Sequence, residues 1–198
     1  MTTKTLRRIA GLAALAAAIA TAVGTTTAGA TSSSCPARTM KTAFSSFGDT
    51  SQYFLAPNGG FETGTSGWTV GGGAAVVAGN ETSYLTAKSD SKSIKLPANG
   101  WVQTGQICTN PNDQTIRLMV KGVSGQLKVD ATILSGGNIR TWSSQVDANG
   151  SSGWRASQII QFALGNQYLG ATTIQLKFTA LSTTWQIDDL YIDPFKGY

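Results

Sequence analysis

The sequence predicts an all-β protein built as an antiparallel β-sandwich. Three observations carry this. The first is strict period-two alternation in three segments. In Thr115–Lys121, Ile116, Leu118 and Val120 share one face, and Arg117, Met119 and Lys121 share the other. In Gln126–Leu134, Leu127, Val129, Ala131 and Ile133 oppose Lys128, Asp130 and Thr132, and in Thr173–Thr179, Ile174, Leu176 and Phe178 oppose Gln175 and Lys177. One apolar face and one wet face is the pattern of antiparallel sheets. The second is that the connections are rich in Gly, Asn and Ser, the residues of tight turns. The third is that no long segment carries helical periodicity. Roughly nine or ten short strands joined by such turns make a sandwich.

From its first residue the chain reads as follows. Met1–Arg8 is basic, with Lys4, Arg7 and Arg8; Ile9–Val23 is an Ala-rich apolar run; Ala28-Gly29-Ala30 closes it. This is the layout of a secretory signal peptide over residues 1–30, cleaved after Ala30. A membrane span needs about 20 strongly apolar residues, and this run is too short and too Ala-rich. The Arg7-Arg8 pair raises twin-arginine export, but its flanks match poorly and the general route is preferred. Removing the segment lowers the net charge from +5 to +2. The remaining Lys and Arg are scattered singly, without the basic stripe of a nucleic-acid binder. The expected product is a secreted monomer with no membrane span, and one domain of that length can bury a core.

Residues 31–52 form a Ser/Thr-rich lead-in in which Phe44, Phe47 and Asp49 point to an ordered segment. The sandwich domain is expected over 53–198. Cys35 and Cys108 are the only cysteines. In an oxidising compartment a disulfide is their default. It would close a loop worth about 4 kcal/mol in the chain-entropy model. Two free thiols or a metal pair are the rivals, but with no histidine in the chain a transition-metal site is poor.

The domain opens on Asn58-Gly59-Gly60-Phe61-Glu62-Thr63-Gly64-Thr65-Ser66-Gly67-Trp68, a turn, a short extended piece and a second turn ending on a large aromatic. Strands are expected over Ala74–Ala78, Ser93–Leu96, Trp101–Ile107, the three alternating segments and Trp154–Phe162. Asn80–Ser83 and Thr109–Asp113 read as turns, Gly122–Gly125 as a hairpin loop, and Leu164–Gly170 as a single helical turn. Trp68, Trp154 and Trp185 sit beside apolar positions and are expected in the core.

The opening motif and the closing segment Trp185-Gln186-Ile187-Asp188-Asp189-Leu190-Tyr191-Ile192-Asp193 together resemble the galactose-binding-like jelly-roll domains, the fold of many carbohydrate-binding modules. The wider pattern, from Cys35 through Phe47-Gly48-Asp49 to Ile192-Asp193-Pro194, is similar to a group of secreted actinobacterial proteins. This resemblance implies a jelly-roll β-sandwich and an extracellular address. It also implies a structural Ca²⁺ near the first and last strands, with Glu62 and Asp188 or Asp189 among its ligands. Calcium takes six to eight hard oxygen ligands. The alternative is that Glu62 accepts backbone N–H bonds in its own turn and the aspartates are solvated or cap the ladder.

Absences decide much of the chemistry. Without histidine there is no Ser-His-Asp or Cys-His nucleophile and no usual zinc hydrolase. A glycosidase pair made of Glu62 and Asp188/Asp189 would need an open cleft. The expectation is a protein that is not an enzyme. Trp101, Trp142 and Tyr84 are the exposed aromatics fitted to stack on sugar rings. The function this reading favours is a secreted, non-catalytic binding module for polysaccharide or cell wall. The alternative is an extracellular structural or protein-interaction protein with no sugar affinity.

Overall fold

The computed structural model describes residues 35–110, 113, 115–135, 137–162 and 172–193. The signal segment over 1–30 and the helical turn expected over 164–170 lie outside them. Thirteen strands follow in chain order. They are β1 (Phe54–Leu55), β2 (Trp68–Gly71), β3 (Ala75–Ala78), β4 (Lys92–Leu96), β5 (Trp101–Thr104), β6 (Ile107–Thr109) and β7 (Thr115–Lys121). Then come β8 (Gln126–Ser135), β9 (Asn138–Asp147), β10 (Arg155–Ala156), β11 (Ile160–Gln161), β12 (Thr172–Leu181) and β13 (Trp185–Asp193).

They form two antiparallel sheets. The first runs β10-β7-β13-β4-β3, with β1 on β13 and β11 on β7. The second runs β2-β5-β12-β8-β9, with β6 continuing the line of β5 along β12. The chain passes from one sheet to the other between β1 and β2, β2 and β3, β4 and β5, β6 and β7, β7 and β8, β9 and β10, β11 and β12, and β12 and β13. This is the antiparallel sandwich that the alternating pattern predicts, in the jelly-roll form that the resemblance implies. The apolar faces meet between the sheets: Ile116, Leu118 and Val120 of β7 and Ile174, Leu176 and Phe178 of β12 are all fully buried. Trp185 is buried with them, and its ring lies so close to Gly122 that a Cβ there would come within 2.5 Å of it.

Two expected strands are each broken in two. Trp101–Ile107 divides at Gly105, whose N–H turns aside to the Gly67 carbonyl at 2.7 Å. Trp154–Phe162 becomes β10 and β11, both paired with β7. Between them Ser157 satisfies the ladder locally, accepting the Leu118 N–H with its hydroxyl. The strand β9 was not expected. Its inward positions include Arg140 and Ser144, and only Val146 is fully buried, so it shows no apolar alternation.

The opening motif is organised by Asn58. Its Nδ2 donates to the Gly64 and Ser66 carbonyls, and its Oδ1 accepts the Thr63 N–H. Phe61 and Trp68 are buried with ring centroids 4.8 Å apart, and the indole N–H donates to the Pro57 carbonyl. Phe61 sits at a φ of +57°, a backbone region that bulky residues rarely adopt.

Residues 35–56 are part of the same packed unit. They run as a strap across the outer face of the first sheet. Phe44 and Tyr53 from the strap, Leu85 from the β3–β4 loop, and Met119 and Tyr191 from the sheet make a second apolar cluster. Arg117 lies over the Phe44 ring and bonds Asp49 at 2.7 Å, and Asp49 also accepts the Tyr53 hydroxyl. The disulfide Cys35–Cys108 joins the start of the strap to β6, with the Cα atoms 5.5 Å apart. Among the described residues no helix is long and apolar enough to cross a membrane.

Candidate functional site

The outer face of the second sheet follows from the same alternation that builds the core. Ile174, Leu176 and Phe178 point inward, so Thr173, Gln175, Lys177 and Thr179 point outward. On β8 the outward residues are Lys128, Asp130 and Thr132. Strand register then decides which of these stand side by side. One row crosses the sheet as Gly71, Trp101, Thr179, Lys128 and Gln145. The next crosses as Thr69, Gln103, Lys177, Asp130 and Ser143. Adjacent strands lie about 4.8 Å apart, so a five-strand row is roughly 19 Å long.

Trp101 is the one aromatic ring in these rows. Its indole lies flat against Gly71, where a Cβ would come within 2.4 Å of the ring. The Lys177 ammonium stands 4.3 Å from the ring centroid. Such a contact is worth about 0.5–1 kcal/mol at an exposed site, weak enough for a ligand to displace. Asp130, beside Lys177 in the row, is already engaged: Lys128 bonds it at 3.0 Å and the Ser143 hydroxyl donates to it. Among the described residues Lys177 forms no ion pair. At the β8–β9 end of the Trp101 row is a depression of about 360 Å³ lined by Lys128, Ser143, Ser144, Gln145 and Leu181.

The three aromatic candidates do not share a site. Trp142 stands opposite Ala131, whose side chain is in the core, so it points to the inner side of β9 and packs half-buried against the core. Tyr84 is exposed, but on the β3–β4 loop that covers the first sheet, at a φ of +50°. Only Trp101 belongs to the polar face. Gly71, Gln103 and Lys177 join it there, and none of these three was singled out from sequence. The outward position of Lys177 is legible in the β12 alternation; its place beside Trp101 is set by register.

The three carboxylates expected at a metal are also separated in role. Glu62 accepts the N–H groups of Ser91 and Lys92 at 2.8 and 2.7 Å, the alternative its sequence position allowed. The donors lie on the approach to β4, not in its own turn. Asp188 and Asp189 are both buried, each 1 % exposed, because β13 carries a register shift against β7 between Asp188 and Tyr191. Asp189 takes a φ of +48° there. Asp188 accepts the N–H groups of Glu81 and of Asp189, and Asp189 accepts the Thr86 hydroxyl at 2.6 Å. Glu81, which sequence reading placed in a turn, is buried and accepts the Leu85 N–H at 2.6 Å.

Burial, then the neighbouring Asp189 charge, pushes the Asp188 carboxyl up to about 9; burial pushes Asp189 up to about 6, opposed by the Thr86 hydrogen bond. The Lys41 ammonium from the strap donates to the Leu85 and Thr86 carbonyls beside these groups. Burial lowers its pKa, and the charge of Asp189 opposes this. Among the described residues no group of three or more acidic, His or Cys side chains is placed to hold a metal. Five of the six carboxylate oxygens of Glu62, Asp188 and Asp189 already accept protein hydrogen bonds. The sixth, Oδ2 of Asp189, is buried without a hydrogen-bond partner. Of the three carboxylates, Asp189 alone offers an oxygen that a cation would not have to share with a protein hydrogen bond among the described residues. The buried aspartates also offer no open cleft for hydrolysis.

A second pocket of about 340 Å³ lies beside the disulfide, lined by Pro36, Phe54, Pro57 and Ile107 among others. Its one cation, Arg38, is committed to Asp113 at 2.6 Å and to the Cys108 carbonyl.

No family model matches the chain, and no curated relative matches it; the resemblance to secreted actinobacterial proteins is unsupported by either. Solved structures of similar build do exist. A family 61 carbohydrate-binding module, TmCBM61, in complex with β-1,4-galactotriose is 23 % identical with a TM-score of 0.47, covering 70 % of this chain and 96 % of that one. A family 16 carbohydrate-binding module is 16 % identical with a TM-score of 0.44, covering 70 % and 98 %. The C-terminal family 22 module of Clostridium thermocellum Xyn10B is 16 % identical with a TM-score of 0.40, covering 70 % and 95 %. At these identities and scores the likeness carries no inference about the site.

Proposed function

We propose that the protein is a secreted, non-catalytic module that binds polysaccharide on the outer face of its second sheet. The observation that carries this is Trp101. Its ring has a backbone floor at Gly71 and the Lys177 ammonium 4.3 Å from its centroid. It stands in rows of hydroxyls and amides from Thr69, Gln103, Thr179 and Gln145. A sugar presents an apolar C–H face to such a ring and hydroxyls to such neighbours. A bound chain follows the rows, across the strands. The signal-like N-terminus and the disulfide support the extracellular address.

Affinity electrophoresis of the disulfide-intact protein through a panel of polysaccharides tests the reading. Retention by at least one is expected, with Trp101→Ala weakening it at least tenfold and Trp142→Ala leaving it in place. No retention by any of them turns the assignment towards a protein partner.

A structural calcium at Asp189 belongs to the proposal in a reduced form, supported by the unpartnered Oδ2 alone. Its measure is the melting temperature in Ca²⁺ and in chelator. A rise with Ca²⁺ that Asp189→Asn removes supports it; identical melting in both retires it.

A further inference from the structure

We infer that the glycan bound at Trp101 is acidic, a uronate-bearing polysaccharide whose carboxylate is taken by Lys177; this rests on the carbohydrate reading above. The argument starts from how the row of Thr69, Gln103, Lys177, Asp130 and Ser143 distributes its charge. Asp130 is satisfied by Lys128 and Ser143 on its far side. Among the described residues Lys177 is left with the π face of Trp101 as its one partner. A ring stacking on the Trp101 face that carries the ammonium must move it aside. A neutral sugar gives nothing back for the lost contact. A sugar carrying a carboxylate at its rim gives the ammonium an anion as it leaves the ring. Lysine suits this exchange, because its charge rides on a flexible four-carbon stem. Charge-assisted hydrogen bonds to a carboxylate are stronger than those between neutral groups. The two events, stacking and charge pairing, therefore favour each other only for an anionic pyranose.

The neighbouring row adds a second selective element. Lys128 lines the 360 Å³ depression two strands away from Trp101, at roughly 10 Å by strand spacing. Its ammonium is already paired with Asp130, so it makes the depression polar without making it strongly cationic. The strongest anion preference is thus fixed at one position, beside the aromatic ring.

The test compares retention of the disulfide-intact protein by polygalacturonate and alginate with retention by xylan and β-glucan, at low and high salt. Dextran sulfate serves as the control for charge alone. Tighter retention by the uronates is expected, falling with salt. Lys177→Gln is expected to lower uronate binding about tenfold without weakening neutral binding, since no ammonium then has to leave the ring, and Lys177→Arg to keep most of the preference. Trp101→Ala is expected to abolish binding to every glycan. Equal or tighter retention by neutral glycans, unaltered by Lys177→Gln, overturns the inference and leaves the carbohydrate reading standing. Retention by dextran sulfate as strong as by the uronates, insensitive to Trp101→Ala, overturns both, as does no retention at all. Melting curves of the Lys177 variants, expected to match the parent, show that the effect is local.

Discussion

Gly71 and Gly122 face the same steric demand and answer it at different depths. Each lies under a tryptophan ring, and a methyl group on either would approach that ring to about 2.4–2.5 Å. Trp185 over Gly122 is fully buried and cannot retreat, whereas Trp101 over Gly71 is only partly covered. Overpacking a well-filled core costs about 1–3 kcal/mol. Gly122→Ala is therefore expected to lower unfolding free energy by that amount in a denaturant titration. Gly71→Ala is expected to leave the titration within ~0.5 kcal/mol and to weaken glycan retention by tilting Trp101. Equal losses of stability in the two variants would show that the Trp101 ring is held as firmly as a core residue. At this scale the sequence was partly readable. It marked Trp68 and Trp185 as core, and both are buried; Trp154, expected with them, is half-buried against the second apolar cluster. It could not separate Trp101 from Trp142, because their neighbours are similarly polar and only the pleat sends one outward and the other in.

The strap over residues 35–56 is the element with the most to explain. It contributes two strand residues, β1, and one bridge between Lys41 and Tyr53. It buries Phe44 and Tyr53 in the second apolar cluster and Phe54 in the main core, and fully burying one large apolar side chain contributes roughly 1.5–3 kcal/mol. The disulfide fixes its far end on β6. Reduction is expected to lower unfolding free energy by about 4 kcal/mol on the chain-entropy estimate, read as a lower denaturant midpoint. Cys35→Ser should reproduce that shift without reductant. A midpoint unchanged by either would mean that the apolar cluster alone seats the strap. The phenylalanines of this segment showed that it would be ordered. Its packing partner was hidden, since Met119 reads as the wet side of an alternating strand and becomes apolar ground only once the strap covers it. Strand β9 was missed for the opposite reason: held at an edge by a ten-residue ladder to β8, it needs no apolar face of its own.

Over the whole molecule the alternation in three segments was enough to give two sheets and a core between them. What it could not give was the closing strand's shift in register, which buries both Asp188 and Asp189 instead of one. Nor could it show that the Glu62 carboxylate would hold the amides at the start of β4. Both outcomes depend on backbone geometry far along the chain. The face proposed for glycan has the same origin, since its rows draw on five strands spread from Thr69 to Thr179.

The strap has a consequence for how the molecule meets a solid. One broad side of the sandwich is upholstered by the chain's own first segment, anchored at both ends. Among the described residues no segment crosses the opposite side, and it carries the ring and the Lys177 ammonium. On the proposed function a fibre or wall is met from one direction, with the strap turned away from the surface and towards the medium.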